Sequence, residues 1–386
     1  MKFTVLPTTL KAAVAAISPA LSNKNAMPIL DNILLTPSDD GQHIDLTASN
    51  GDFTIVTQME VMEPQELVPA LIPAKNIREF IASALGAFPV DFSYNAANGE
   101  WSLIDDFGEV RFVSDVDVKA YPVCDNYISD AQFSITVPAA PIVDAMTAAK
   151  GFAANDDLRP VMNGVYLDFT ATGLHVVASD SKSLFRDTLA DVTPATPASV
   201  IVPSRMVASV KSCFATSADA QLTISFRHDD RPLHAGTVCF SQGGTILRGR
   251  LIEGRFPRYE AVIPKNNNAI ADVEVSRLNA AVNRASISAN SATNQICLAF
   301  DGANNLTISA QDVDFSTSSK ATIPTTSQQN LRDFKIGVRA TVLCACVGVF
   351  KSSHVLLTFS DPSRAIVIKS SDSNRIALLM PMQLPN

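Results

Sequence analysis

Leu10-Lys-Ala-Ala-Val14 returns as Ile142-Val-Asp-Ala-Met146 and again as Leu278-Asn-Ala-Ala-Val282. A β-type run precedes each copy: Phe3-Thr-Val5, Ile135-Thr-Val137 and Val273-Glu-Val275. Alternating runs follow at matching distances: Ile44-Asp-Leu-Thr-Ala-Ser49, Leu174-His-Val-Val-Ala-Ser179 and Leu306-Thr-Ile-Ser-Ala310. Leu10 to Ile142 is 132 positions and Ile142 to Leu278 is 136; Ala48 to Ala178 is 130 and Ala178 to Ala310 is 132. A period near 130 residues is too long for a solenoid unit, so each copy is a domain in its own right. Three copies account for the 386 residues, with expected domains 1–128, 129–257 and 258–386.

Within a copy the order is strand, helix, several strands, helix, more strands. Apolar residues spaced by three and four mark the helices: Leu10, Val14 and Ile17; Ile77, Phe80 and Ile81; Met206, Val207, Val210 and Phe214; Leu278, Val282 and Ala285. The expected helices cover 7–20, 74–86, 138–151, 203–214, 276–288 and 338–350, with Pro7, Pro138 and Pro203 near starts, where the missing N–H costs nothing. Each copy is therefore α+β, two helices on antiparallel sheet.

Apolar residues make up 47% of the chain, enough for sizeable cores, and this excludes disorder as the dominant state. The net charge of −8 excludes a globally basic nucleic-acid coat but leaves local patches open. Cysteines 124, 213, 239, 297, 344 and 346 are scattered without metal-ligand spacing, so free thiols in a reducing compartment are expected. Cys344 and Cys346 sit in an apolar run and read as small hydrophobes. No run reaches the ~20 apolar residues of a membrane helix. The Ala-rich segment after Lys11 mimics a signal-peptide core, but its recurrence deep in the chain makes it a domain element. A cytoplasmic protein is expected.

The expected helices carry Lys11, Lys75, Arg78, Lys150, Arg205, Lys211, Arg277, Arg284 and Arg339 against only Glu79 and Asp144, a balance of +7. The remainder holds 21 basic and 36 acidic residues, or −15. A solvated helix face normally mixes signs. A common positive bias points instead to helices that present charge to phosphates without reading bases. Single-strand binding needs exposed aromatic platforms, whereas Phe80, Phe214 and Phe350 occupy core-type positions.

Nothing in the chain asks for catalysis. No phosphate-binding Gly-rich loop, dinucleotide fingerprint, zinc-protease helix or nucleophile elbow is present. The five histidines (43, 175, 228, 234 and 354) lack a consistent partner, and Asp180, Asp312 and Asp314 follow strands as turn residues do. The competing reading is a three-domain hydrolase or transferase with a site at a domain junction near Asp180 and His175. Neither a cofactor nor a metal is expected.

Met1-Lys-Phe-Thr-Val5, Met27-Pro-Ile-Leu30, Ile252-Glu-Gly-Arg-Phe-Pro-Arg-Tyr259, Val262-Ile-Pro264 and Met380-Pro-Met-Gln-Leu384 together resemble the bacterial DNA polymerase III β subunits, the replicative sliding clamps. The resemblance spans the whole chain in order. It implies three clamp-type domains per chain and a head-to-tail homodimeric ring of six domains around double-stranded DNA, held without sequence preference. The implied partners are the replicative polymerase catalytic subunit, the clamp loader, and repair and translesion proteins carrying short clamp-binding peptides.

Carried over by position, the resemblance implies duplex contacts at Lys24, Arg159 and Arg205, beside the helix cations Lys11, Arg78, Lys150, Lys211, Arg277 and Arg284. It implies a peptide pocket between the second and third domains at Met162, Ser179, Lys182, Leu184, Pro257, Val262, Val342, Ala365, Leu379, Met380, Pro381 and Met382, with Leu184 and Pro257 as opposing walls. It implies a subunit interface in which Ile287 and Ser288 face Phe112 and Val113 of the other subunit. The chain departs from the family at Ser179-Asp-Ser-Lys-Ser-Leu184, where well-known members have Thr-Asp-Gly-His-Arg-Leu. It also has Ala261 for a pocket arginine and Val342 for a gating tyrosine.

Overall fold

The computed structural model describes residues 1–21, 25, 27–83, 88–114, 116–122, 131–228, 236–312 and 315–384. Six α-helices stand among them: α1 (Pro7–Ile17), α2 (Ala74–Ala82), α3 (Ala139–Lys150), α4 (Ser204–Cys213), α5 (Val275–Ser286) and α6 (Ala340–Gly348). Pro7 opens α1 at a position needing no N–H, and Leu10, Val14 and Ile17 are buried while Lys11 is exposed. The helix stops short of residue 20 because Pro19 cannot donate, and Ser18–Ala20 tighten into a 3-10 turn. Pro138 and Pro203 close the strands before α3 and α4 instead of opening those helices.

Arg339 corrects the expected sixth helix. It ends the strand Phe334–Arg339, and its Nε donates to the Thr293 carbonyl at 3.1 Å. α6 itself, Ala-Thr-Val-Leu-Cys-Ala-Cys-Val-Gly, carries no charge. The positive bias belongs to α1, α2, α4 and α5; α3 carries Asp144 as well as Lys150 and is neutral overall.

The chain divides into two compact units, residues 1–144 with 205–253 and residues 145–204 with 254–386. The first unit contains a five-stranded antiparallel sheet in the order Met62–Gln65, Lys2–Val5, Val90–Asn95, Glu100–Asp105, Gly108–Val113. It also contains an eight-stranded sheet in the order Phe133–Pro138, Gln221–Arg227, Thr237–Gln242, Thr245–Arg250, Phe53–Glu60, His43–Ser49, Asn32–Pro37, Ala70–Pro73. The fully buried Trp101 ties these two sheets, its indole N–H donating to the Leu71 carbonyl at 2.9 Å.

The second unit contains a nine-stranded sheet: Ala198–Pro203, Gly164–Thr170, Gly173–Ser179, Ser183–Leu189, Ser373–Leu379, Ile366–Ser370, His354–Phe359, Ala269–Glu274, Ser327–Gln329. A four-stranded sheet runs Thr317–Pro324, Asn305–Asp312, Gln295–Phe300, Phe334–Arg339. Val165, Leu167, Phe169, Leu174, Val176 and Phe185 fill one buried face of the larger sheet, and Val177 and Leu184 are buried on its other face.

The two large sheets are built by one rule. In the first unit, Thr245–Arg250 pairs with Phe53–Glu60, setting Leu247 opposite Ile55. In the second, Ser373–Leu379 pairs with Ser183–Leu189, setting Ala377 opposite Phe185. Each time the last strand of one repeat joins the fourth-strand position of the repeat before it. Gly249 permits the first junction, because a Cβ there would meet Met206 Sδ at 2.8 Å and Phe53 Cβ at 3.0 Å.

Candidate functional site

Five helices carry the cations. Lys11, Lys75, Arg78, Lys150, Arg205, Lys211, Arg277 and Arg284 are all exposed, each beside rather than within the buried stripe of its helix. Several are partly neutralised: Arg205 lies 3.3 Å from Asp52, Arg277 lies 2.8 Å from Glu274, and Lys75 lies 3.8 Å from Glu79. Arg159, in the loop before strand Gly164–Thr170, is held at 2.9 Å by Asp156. Lys11, Arg78, Lys150, Lys211 and Arg284 make no ion pair among the described residues. Lys24 lies outside the described residues. Phe80, Phe214 and Phe350 are buried, so the helices offer no aromatic platform.

Two strands are left over by the junction rule. Gly108–Val113, the last strand of the first repeat, ends the five-stranded sheet, and its outer side has no pairing strand among the described residues. Thr317–Pro324, the third repeat's counterpart of Phe53–Glu60 and Ser183–Leu189, likewise ends the four-stranded sheet. Exposed apolar side chains collect at both. Val113 is 61% exposed on the first; Ile287, just past α5, is 82% exposed and Phe315 is 76% exposed near the second. Phe112 is half-buried and Ser288 is buried. An unpaired edge with apolar neighbours is the state that a protein normally avoids or uses.

Pairing with Ser183–Leu189 and Ile366–Ser370 brings Ser179, Lys182, Leu184, Ala365, Leu379 and Met380 to one end of the nine-stranded sheet. Ser179 ends its strand, and its Oγ donates to the Ser183 carbonyl at 2.7 Å. Met380 N–H donates to the Lys182 carbonyl at 2.8 Å, and Met382 N–H to the Gly337 carbonyl at 2.8 Å, with Pro381 between. Val342, half-buried, stands on α6, which packs against Ser183–Leu189 and Ser373–Leu379. Met162 is buried in the 3-10 turn Pro160–Met162. The exposed apolar members are Met380 at 46% and Val262 at 57%, with Pro257 also exposed. Leu184, at 2% exposure, is packed in rather than open as a wall. Pro257 and Ala261 instead line a groove of about 820 Å³ with Tyr166, Asp168 and Tyr259.

That groove is braced, with Tyr166 stacked on Phe256 at 4.7 Å and Tyr259 Oη donating to Asp168 Oδ2 at 2.9 Å. Burial first, then the Asp168 carboxylate, raises the Tyr259 phenol above its ordinary range. His175, neighbouring it on the same sheet, is bonded at Nδ1 to Thr188 Oγ1 at 3.1 Å, and burial, then Arg186, lowers its pKa. Asp180 is a turn residue, its Oδ1 accepting from Lys182 N–H at 2.9 Å and from Ser183 N–H at 2.6 Å. Burial pushes the Cys213 thiol up to about 12 and the Cys239 thiol to about 11. These shifts favour the neutral forms. Among the described residues no cluster of His, Cys, Asp and Glu comes together at a metal site.

Sequence reasoning missed Thr317–Pro324, Phe315 and Gly337. The first is a Ser- and Thr-rich run with only Ala321 and Ile323 to mark an apolar face. The repeat offset would have found it, since Ser183 plus 134 positions reaches Thr317.

The chain matches family models for the DNA polymerase III beta subunit N-terminal domain over residues 1–127, central domain over 136–258 and C-terminal domain over 260–383. It is 24% identical over 386 residues to the beta sliding clamp of Escherichia coli K12, covering 100% of both chains. It is 26% identical over 319 residues to that of Synechococcus elongatus, covering 81% of this chain and 82% of the relative. The solved DNA polymerase III subunit beta of Pseudomonas aeruginosa superposes over 100% of both chains with a TM-score of 0.89 at 19% identity. That of Thermotoga maritima superposes over 100% of both with a TM-score of 0.87 at 17% identity.

Proposed function

The chain belongs to the DNA polymerase III β subunit family and is a replicative sliding clamp, a non-catalytic processivity factor; from that premise we propose how it closes on DNA and holds its partners. Its three clamp domains are 1–128, 129–257 and 258–386. It forms a head-to-tail homodimer in which Gly108–Val113 of one subunit lies beside Thr317–Pro324 of the other. The observation that carries this reading is the junction rule. Two of three repeat-to-repeat junctions are made within the chain, and the two strands for the third are present, each without an outer pairing strand among the described residues and flanked by apolar side chains. Ile287 then packs near Phe112 and Val113 of the other subunit, with Ser288 behind it.

The exposed cations of α1 to α5, with Lys24 and Arg159, face the DNA phosphates inside the ring. Asp52 and Asp156 restrain Arg205 and Arg159, leaving weak screened contacts that allow sliding. Topological linkage then supplies the residence that affinity does not. Polymerase, clamp loader, and repair and translesion proteins dock short peptides at the site around Met380, Pro381, Met382 and Val262. There Lys182, Ala261 and Val342 alter the preference relative to better-known members, beside Met162, Ser179, Leu184, Pro257, Ala365 and Leu379. The protein works in the cytoplasm; no helix among the described residues is long and apolar enough to cross a membrane.

Sedimentation tests the closure. A particle of twice the 41.2 kDa chain mass is expected, and a monomer at micromolar concentration contradicts it.

A further inference from the structure

Met382 makes an isolated antiparallel bridge to Gly337, on the outer side of Phe334–Arg339, the strand that otherwise ends the four-stranded sheet. Three features fit residues 382–384 in place. Met382 N–H donates to the Gly337 carbonyl at 2.8 Å. Gln295, one strand further in, reaches across so that its Nε2 donates to the Gln383 carbonyl at 2.8 Å. Leu384 forms part of the wall of a groove of about 770 Å³, together with Cys297, Ser309 and Lys335. Gly337 makes all three possible. A Cβ at that position would stand 2.5 Å from Met382 O, 2.9 Å from Gln295 Nε2 and 3.0 Å from Leu384 Cδ2. The first distance is to backbone, which cannot swing aside. The slot left by the missing side chain is therefore filled by the tail and by the amide that grips it.

We propose that Gly337 and Gln295 are positioning residues for partner binding, acting as a latch that fixes the tail and, through it, the Met380–Met382 segment. This rests on that segment being part of the peptide site. Met380 is already fixed from one side by its bond to Lys182. The latch fixes the other side of Pro381, so both methionines are held before a partner arrives. A preset site spares the partner the ordering cost of the segment. Both grips read backbone atoms, so the latch depends on the tail's path and only Leu384 on its side chains.

Amide hydrogen exchange at Met382 and fluorescence anisotropy with a labelled synthetic peptide ending in two apolar residues test this on the full-length dimer. Gln295→Ala and Gly337→Ala should each speed exchange at Met382 and weaken the peptide about threefold to tenfold, with Met380 and Met382 both still present. The cycle with a chain ending at residue 382 separates a latch from a general packing role. Once Gln383 is gone, Gln295→Ala should cost the peptide nothing further. Additive losses, or unchanged exchange at Met382 in the Gln295→Ala protein, overturn the latch. Faster exchange with unchanged peptide affinity also overturns its role in binding. Unchanged affinity in Met382→Ala identifies the peptide site itself as the error. Gln295→Ala keeps the test available if Gly337→Ala does not fold.

Discussion

Arg375 Nε donates to Asp187 Oδ2 at 2.7 Å, joining two strands whose residues are 188 positions apart, and both side chains are nearly buried. Arg375 Nη1 also donates to the Val349 carbonyl at 2.7 Å, just past α6, and the guanidinium lies 5.9 Å from the centre of the Phe185 ring. Removing the cation strands a buried carboxylate at the junction of the second and third repeats. Arg375→Ala should cost about 3–5 kcal/mol, whereas replacing both partners with apolar residues of similar volume should cost much less. Urea unfolding of the two variants measures the difference.

The exposed helix cations should matter for DNA and little for folding. Lys150→Glu with Lys211→Glu should shorten residence on DNA, and each lost phosphate contact should lower the slope of log affinity against log salt by about 0.9. Asp52→Asn should act in the opposite direction by freeing Arg205. Tm should barely move in either case, since exposed charges contribute little to stability. Retention assays at several salt concentrations read residence and slope for both proteins, and thermal unfolding reads Tm.

Ile287→Asp should produce folded monomers. It places a charge in the apolar contact proposed between subunits, while each domain keeps its own core. Sedimentation with circular dichroism checks both halves; a dimer of unchanged stability moves the interface elsewhere.

His175 gives the chain a pH dependence of known sign. Burial and Arg186 depress its folded pKa, so its contribution to stability is complete above the unfolded value of about 6.5 and is lost as pH falls through the folded value. Urea midpoints of the parent should therefore drop on going from about pH 7.5 to 5.5 more than those of His175→Gln.

The repeat was legible because apolar residues at helical and strand spacing must recur wherever the same core is rebuilt. The helix cations were legible for a related reason: charge on an amphipathic helix can sit only beside its buried stripe. Arg339 was misplaced because an apolar run gives no sign of where a strand yields to a helix. Thr317–Pro324 escaped notice because Ser and Thr hold half of its positions and only Ala321 and Ile323 mark an apolar face. Gly337 and Gln295 could not be read at all. Their role depends on where the chain end crosses a strand, and no local pattern encodes that.

Loading on closed and open DNA tests the central claim most directly. The protein, loaded by an ATP-driven clamp loader onto nicked circles, should remain bound through gel filtration in high salt and leave within the same period once the circle is linearised. Equal loss from circle and linear DNA, or retention on both, contradicts enclosure and leaves only surface binding.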